Sequence, residues 1–294
     1  MNTRAKTIQI FLPGGDPQGI RVAEITTRIV QLIEVPRALL PEFLKMPESA
    51  QVALYFLVGE AEDGAERRVY IGQTGDLPAR LAKHNKEKAF WERALVLISR
   101  TNSLTQTHAL FLEWYSLQRA KQAERYDLSE NKNGGSKPHT PAPLEADCLE
   151  IFETGQTLLA TLGYPVFEPV AKPTEAGKPA ELFHCKRSGI EGKGLYTPEG
   201  FVVLKGSLGH QADAPSIAGT WAEHLRNKLR DSGVVQVKAE SIEFLKDHLF
   251  ASPSAAAVAL LGRTANGWVE WKSAEGKTLD ALKRQGGTDL SGGH

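Results

Sequence analysis

Cysteine is nearly missing from this chain: 294 residues hold only Cys148 and Cys185, far apart in sequence. Two separated thiols can build neither a zinc site of standard spacing nor a disulfide framework, and a reducing compartment is the simplest setting. A surplus of one charge sign is missing too, with 35 Lys and Arg against 35 Asp and Glu. Overall charge therefore gives no polyanionic partner, and any contact with a phosphate backbone must come from a local patch. No apolar run reaches the ~20 residues of a membrane span, and the opening "MNTRAKTIQIFLPGGDPQG" has no apolar core of signal-peptide length. The expectation is a cytoplasmic protein without membrane contact. Internal repeats and low-complexity tracts are absent as well.

What remains is the composition of a globular protein, 41% hydrophobic and 24% charged, long enough for two domains. Residues 1–50 read as a β-rich lead-in, with "TIQIFL" and "IRVAEI" alternating on either side of the turn formers "PGGDPQG" and "RALLPEFLK" as a short helical link. That glycine pair is not a phosphate-binding fingerprint, since no helix follows at the required spacing.

From residue 51 the pattern sharpens. "VALYFLVGE" and "RRVYIGQT" are two strands joined by the acidic loop "EAEDGAE". Asp76 caps a helix with Pro78 in its first turn, "ALVLIS" is a third strand, and Ser103 with Gln106 forms a capping box for a helix to about residue 124. A helix in "EADCLEIFETGQTLLATLG" packs back through Leu149, Phe152, Leu158, Leu159 and Leu162. The order β-β-α-β-α predicts a compact mixed α+β unit over 51–165, a small central sheet flanked by helices. The Pro-, Lys- and Glu-rich stretch 166–182 reads as a linker, and 183–294 as a separate α+β C-terminal domain. There "GLYTPEGFVVLKGS" predicts a hairpin, Ser252 starts a helix in "SPSAAAVALLG", and Asn266-Gly267 predicts a turn between strand-like runs.

Several side chains invite chemistry. Glu113 is the only charged residue between Arg100 and Arg119 and shares a helical face with Leu110 and Leu117. A carboxylate among apolar neighbours needs a cation, a metal ion or an arginine, unless it reaches solvent at the boundary. Arg80 and His84 lie one turn apart, and a guanidinium grips phosphate oxygens with a fixed fork of donors. Lys83, Lys86, Lys88 and Arg93 against Glu87 and Glu92 make a local basic surplus, which alone would equally describe a solvated helix face. Tyr55 and Tyr70 sit on neighbouring strands and can leave the same sheet face. Packing alone would also place them there.

Their order along the chain resembles the GIY-YIG endonuclease family over about residues 50–165. "ALY" at 53–55 stands at the first motif, and "YIG" at 70–72 matches the second letter for letter. Arg80 and His84 match the following helix, Glu113 the glutamate of the later helix, and Asn131 the terminal asparagine, with Asn133 as the neighbouring alternative. The resemblance implies a metal-dependent endonuclease, a hydrolase of DNA phosphodiester bonds. It implies Mg²⁺ or Mn²⁺ on Glu113, Arg80 on the scissile phosphate, and Tyr55 or Tyr70 deprotonating or orienting the attacking water. His84 would pair with the tyrosine, as the histidine does in some restriction-type members. Ala53 and Leu54 depart from the usual Gly and Ile but leave the hydroxyl in place.

The run from 183 to 285 resembles a domain of unknown function that commonly follows such modules. In it Trp268 and Trp271 are candidates for stacking on bases or for the core. The expected partners are DNA and either a second copy or another protein held through the C-terminal domain. A different reading keeps the fold but not turnover: a nucleic-acid-binding or regulatory module in a defence or repair complex.

Overall fold

The computed structural model describes residues 4–60, 67–131, 135–171, 181–187 and 189–285. The acidic loop "EAEDGAE" (all but its first glutamate), most of the expected linker and Asn133 lie outside these residues. The protein has an α+β fold in two compact units, residues 1–169 and 170–294.

In the N-terminal unit β1 (Gln9–Phe11), β2 (Arg21–Glu24), β3 (Val30–Pro36), β4 (Ala53–Glu60), β5 (Arg67–Thr74) and β6 (Trp91–Ser99) form one antiparallel sheet in the order β1-β2-β3-β6-β4-β5. The lead-in 1–50 is thus not set apart. Its strand β3 pairs with β6 along seven residues, from Val30 opposite Ser99 to Pro36 opposite Arg93. The sequence reading missed β3 because Glu34 interrupts its apolar pattern.

The continuous apolar runs of β4 and β6 follow from burial on both faces. Leu54, Phe56, Leu95 and Leu97 point to the face covered by α3 (Gln106–Ala123) and α4 (Ala142–Thr161). Tyr55, Leu57, Val96 and Ile98 point to the other, covered by α1 (Leu40–Phe43) and α2 (Leu77–Glu87). Asp76 caps α2 as expected, accepting from the Ala79 N–H at 3.1 Å. Leu77 and Leu81 are fully buried and hold α2 to the sheet. Either one cut to Ala would cost ~2–5 kcal/mol. The α3 cap differs from expectation. Thr105 and His108 make the capping box, because Thr105 is the last extended residue, while the Ser103 hydroxyl is engaged with Ser99.

The edge strand β5 needs partners for its outward backbone groups. Val69 N–H donates to Asp127 O at 3.0 Å, and Asp127 N–H donates to Arg67 O at 2.9 Å. Ile71 donates to Asn131 Oδ1 at 3.1 Å and accepts from Asn131 Nδ2 at 2.7 Å. Residues 127–131 therefore act as a partial seventh strand.

In the C-terminal unit β7 (Leu182–Arg187), β8 (Ile190–Thr197), β9 (Gly200–Val203) and β13 (His248–Phe250) form one sheet. A second contains β10 (Leu208–His210), β11 (Val235–Val237) and β12 (Ser241–Phe244). Helices α5 (Trp221–Asp231), α6 (Pro253–Leu261) and α7 (Gly267–Glu270) complete it. The turn expected at Asn266-Gly267 is instead the start of α7, because the Asn266 side chain accepts from the Trp268 N–H at 3.1 Å and caps that helix. Gly267 packs on the start of α6, where a Cβ would fall 2.0 Å from Pro253 O. Trp271 is fully buried and donates from Nε1 to the same carbonyl at 3.0 Å. It is core, and base stacking by Trp271 is excluded. Trp268 is half-buried, with the Arg284 guanidinium 3.6 Å from its ring centroid.

Candidate active site

Tyr55 and Tyr70 leave the α2 face of β4 and β5 as diagonal neighbours, since Tyr55 pairs with Gly72 and Tyr70 with Leu57. The Tyr55 side chain crosses directly over Gly72. A Cβ there would fall 2.5 Å from Tyr55 Oη and 2.8 Å from Tyr70 Cε1. The glycine of "YIG" is thus the space in which the two phenols meet, a role the sequence reading did not assign. Its position two residues after Tyr70 and opposite Tyr55 was the available signal.

Helix α2 brings the next two groups to the same point. Arg80 Nε donates to Tyr55 Oη at 3.1 Å, and Arg80 Nη2 to Tyr70 Oη at 3.4 Å. His84, one turn on and 4% exposed, places Nε2 2.9 Å from Tyr55 Oη. Burial, then the cations Arg80, Lys88 and Lys83, lower the His84 pKa to about 4. The imidazole is therefore neutral at pH 7, and its Nε2 accepts the phenol proton. The proton of the ring then sits on Nδ1, which has no partner among the described residues. Burial first, and Tyr70 second, push the Tyr55 phenol well above its ordinary range, with Arg80 opposing. Tyr55 rests as a phenol whose proton has an acceptor on one side and whose oxygen has a cation on the other.

Glu113 comes from α3, which packs against β5 from the other face of the sheet. It is half-buried on α3, between exposed Leu110 and buried Leu117. The Gln73 backbone N–H, the next outward group of β5 after Ile71, is near enough to act on its carboxylate. Burial is the largest influence and raises its pKa, against the Gln73 N–H and the charge of Arg80, which lower it. No ion pair holds Glu113 among the described residues. A half-buried carboxylate with no salt-bridge partner among the described residues could take a hard divalent cation, with the charge of Arg80 acting against it. Among the described residues no cluster of three or more His, Cys, Asp or Glu could hold a metal. An ion on Glu113 would have one protein carboxylate and otherwise water and substrate oxygens, which magnesium tolerates.

Two expectations change. Asn131, expected in the catalytic set, uses both ends of its amide on Ile71 and so holds β5. The basic surplus after Arg80 is partly met by acidic side chains as well. Lys88 pairs with Glu130 and lies over the Tyr70 ring at 4.7 Å, Arg93 pairs with Glu34 at 3.3 Å, and Lys83 with Glu87 at 3.9 Å. These partners are up to 59 residues away in sequence, and Arg80 is the cation that donates to both phenol oxygens.

Residues 183–283, about a third of the chain, match the family described as "Domain of unknown function (DUF4357)". The match leaves the N-terminal unit uncovered. No curated protein and no solved structure matches the chain. No helix among the described residues is long and apolar enough to cross a membrane.

Proposed function

We propose that the N-terminal unit is a metal-dependent endonuclease of GIY-YIG type that hydrolyses DNA phosphodiester bonds. One observation carries this reading: the Tyr55 hydroxyl lies within 2.9 Å of a neutral histidine and 3.1 Å of an arginine that also reaches Tyr70. Packing alone requires no such convergence of a phenol, a base and a cation. Tyr55 is 0% exposed in the free protein, so the mechanism requires the attacking water to enter as DNA binds and draws Arg80 onto the phosphate. Tyr55 Oη then takes a proton from that water while its own proton passes to His84 Nε2. Proton movement in step avoids a free phenolate, which burial makes costly. Arg80 retains N–H groups beyond those on the two tyrosines and binds the equatorial oxygens of the phosphate, where negative charge grows. Mg²⁺ or Mn²⁺ on Glu113 would add Lewis-acid charge neutralisation when bound. Tyr70 and Asn131 are positioning residues, the first through Arg80 and the second through the β5 backbone.

The test uses purified full-length chain, supercoiled plasmid, and Mg²⁺ or Mn²⁺. Wild type is expected to nick or linearise the plasmid, and Arg80→Ala and Glu113→Ala each to lose at least ~10²-fold in rate. DNA binding without cleavage in either ion would refute the enzyme. The pairing of Lys83 and Lys88 leaves few free cations along α2 for a phosphate backbone, which weighs against the DNA-binding form of the second reading and leaves its regulatory form.

A further inference from the structure

The sheet face opposite Tyr55 carries a second charged cluster that the reaction above does not use. Glu34, on β3, is 0% exposed. Arg21 stands directly opposite it on β2, and Arg93 lies on the neighbouring strand β6, two residues from Glu34's partner Leu95. All three point to the side of Ala23, Leu32 and Leu95, at the end of that face where apolar residues give way to charge. Arg21 donates from Nε to Glu34 Oε2 at 2.6 Å and approaches the same oxygen through Nη2. Tyr164, just after α4, donates to Glu34 Oε1 at 2.8 Å, and Arg93 Nη1 lies 3.3 Å from that oxygen.

Holding a buried carboxylate takes one counter-charge and good hydrogen bonds. Arg21 and Tyr164 already supply both, so Arg93 brings the cluster to a local charge of +1. Arg93 makes no hydrogen bond among the described residues, although its side chain is only 29% exposed, and Arg21 is exposed to a similar 28%. The nearby carbonyls at the end of α4 do not take up these donors. Leu158, Leu159 and Ala160 O already accept from the N–H groups of Leu162, Tyr164 and Gly163. The contrast with Asp213 in the C-terminal unit is direct. That carboxylate also meets two arginines, Arg226 and Arg230, but both donate further to backbone carbonyls, Arg226 to Ala259 O and both to Gln211 O. At Glu34 two part-exposed guanidiniums meet one carboxylate, Arg21 at Oε2 and Arg93 at Oε1, hold surplus positive charge and have N–H groups that no described residue takes up. That is the arrangement that grips a tetrahedral oxyanion in two forks.

We propose that Arg21 and Arg93 form a phosphate-binding site, with Glu34 and Tyr164 locking the guanidiniums from below. The phosphate can come free or from the end of a nucleic-acid strand, and the site does not depend on the reading of Tyr55. Titration calorimetry on the full chain tests it, with inorganic phosphate, a 5′-phosphorylated oligonucleotide and the same oligonucleotide without the phosphate. Wild type is expected to bind phosphate, and Arg93→Gln to weaken binding by tenfold or more. Because Arg93 makes no hydrogen bond, this variant should keep the wild-type melting temperature within a few degrees. Glu34→Gln should bind phosphate at least as tightly as wild type, since it removes the competing anion and leaves both forks. Arg100→Gln, from an ordinary one-to-one pair with Glu24 at 3.0 Å, should bind as wild type does. Tighter binding of the phosphorylated oligonucleotide than of free phosphate would assign the site to strand ends, and equal binding to free phosphate. No phosphate binding by wild type, or equal binding by Arg93→Gln, would overturn the proposal.

Discussion

In the N-terminal unit the run from Tyr70 to His84 sends its polar ends into one shared space, where Tyr55, Tyr70, Arg80 and His84 touch each other. In the C-terminal unit the run from Ser252 to Trp271 sends its polar ends into its own backbone. Ser252 caps α6 through the Ala255 N–H, Ser254 accepts from the Gly267 N–H, and Trp271 donates to Pro253 O. Both runs stand out in the sequence, but only the first leaves a base and a cation beside a hydroxyl. The second explains itself as a device that locks two helices together. A distinctive stretch thus points to chemistry only after its backbone obligations have been accounted for.

Paired substitutions sharpen that contrast most. Trp271→Ala should destabilise the C-terminal unit by ~3–5 kcal/mol, since it empties a fully buried site and orphans a carbonyl. Plasmid cleavage measured under conditions where that unit remains folded should change little. Tyr55→Phe should do the reverse: cleavage falls by ~10²–10⁴, while stability in urea falls by only ~1–2 kcal/mol from two unpaired partners. If Tyr55→Phe cut DNA at the wild-type rate, the difference drawn between the units would vanish.

A histidine in each unit provides the next comparison. Burial lowers the pKa of His84 to about 4, and burial with the charges of Lys246 and Lys228 does the same for His248. The folded state keeps both neutral, whereas the unfolded chain takes up protons below about pH 6.5. Stability from each is therefore complete above pH 6.5 and lost as pH falls toward 4. Between pH 7 and pH 5 each should cost ~1–2 kcal/mol. His84→Gln should flatten the acid dependence of the N-terminal unit and His248→Gln that of the C-terminal one, read by urea unfolding at the two pH values. Only the first should also alter the pH profile of cleavage.

Strands β4 and β6 and helix α2 were legible in the sequence because each follows local rules: apolar runs of strand length, and Asp76 with Pro78 at a helix start. The approach of Tyr55 to Tyr70 was legible as well, since alternation in a hairpin puts both on one face. The failures share a cause, which is distance along the chain. Glu34 hides β3 because part of what holds its carboxylate, the Tyr164 hydroxyl, lies 130 residues on, and Lys88 looks free because Glu130 is 42 residues away. Asn131 was placed only by its match to a terminal asparagine, because nothing local shows that a side-chain amide can stand in for a strand.

That substitution of amide for strand yields the smallest effect and the finest test. Asn131 returns both hydrogen bonds to Ile71, the residue between Tyr70 and Gly72, at an edge where water can partly replace them. Asn131→Ala should therefore cost about 1 kcal/mol of stability, less than a buried pair of bonds would. Its influence on cleavage should exceed that figure, because a loosened Ile71 moves Tyr70 on one side and Gly72, beneath Tyr55, on the other. Asn131→Asp separates the two roles. It keeps the acceptor for the Ile71 N–H but sets a carboxylate against the Ile71 carbonyl, so half the clasp becomes repulsive while side-chain size is preserved. A rate loss in Asn131→Asp equal to that in Asn131→Ala, with kcat reduced and KM unchanged, would mark the residue as positioning the phenols. A loss confined to KM would instead place its amide on the phosphate, and the seventh-strand role assigned to residues 127–131 would have to be given up.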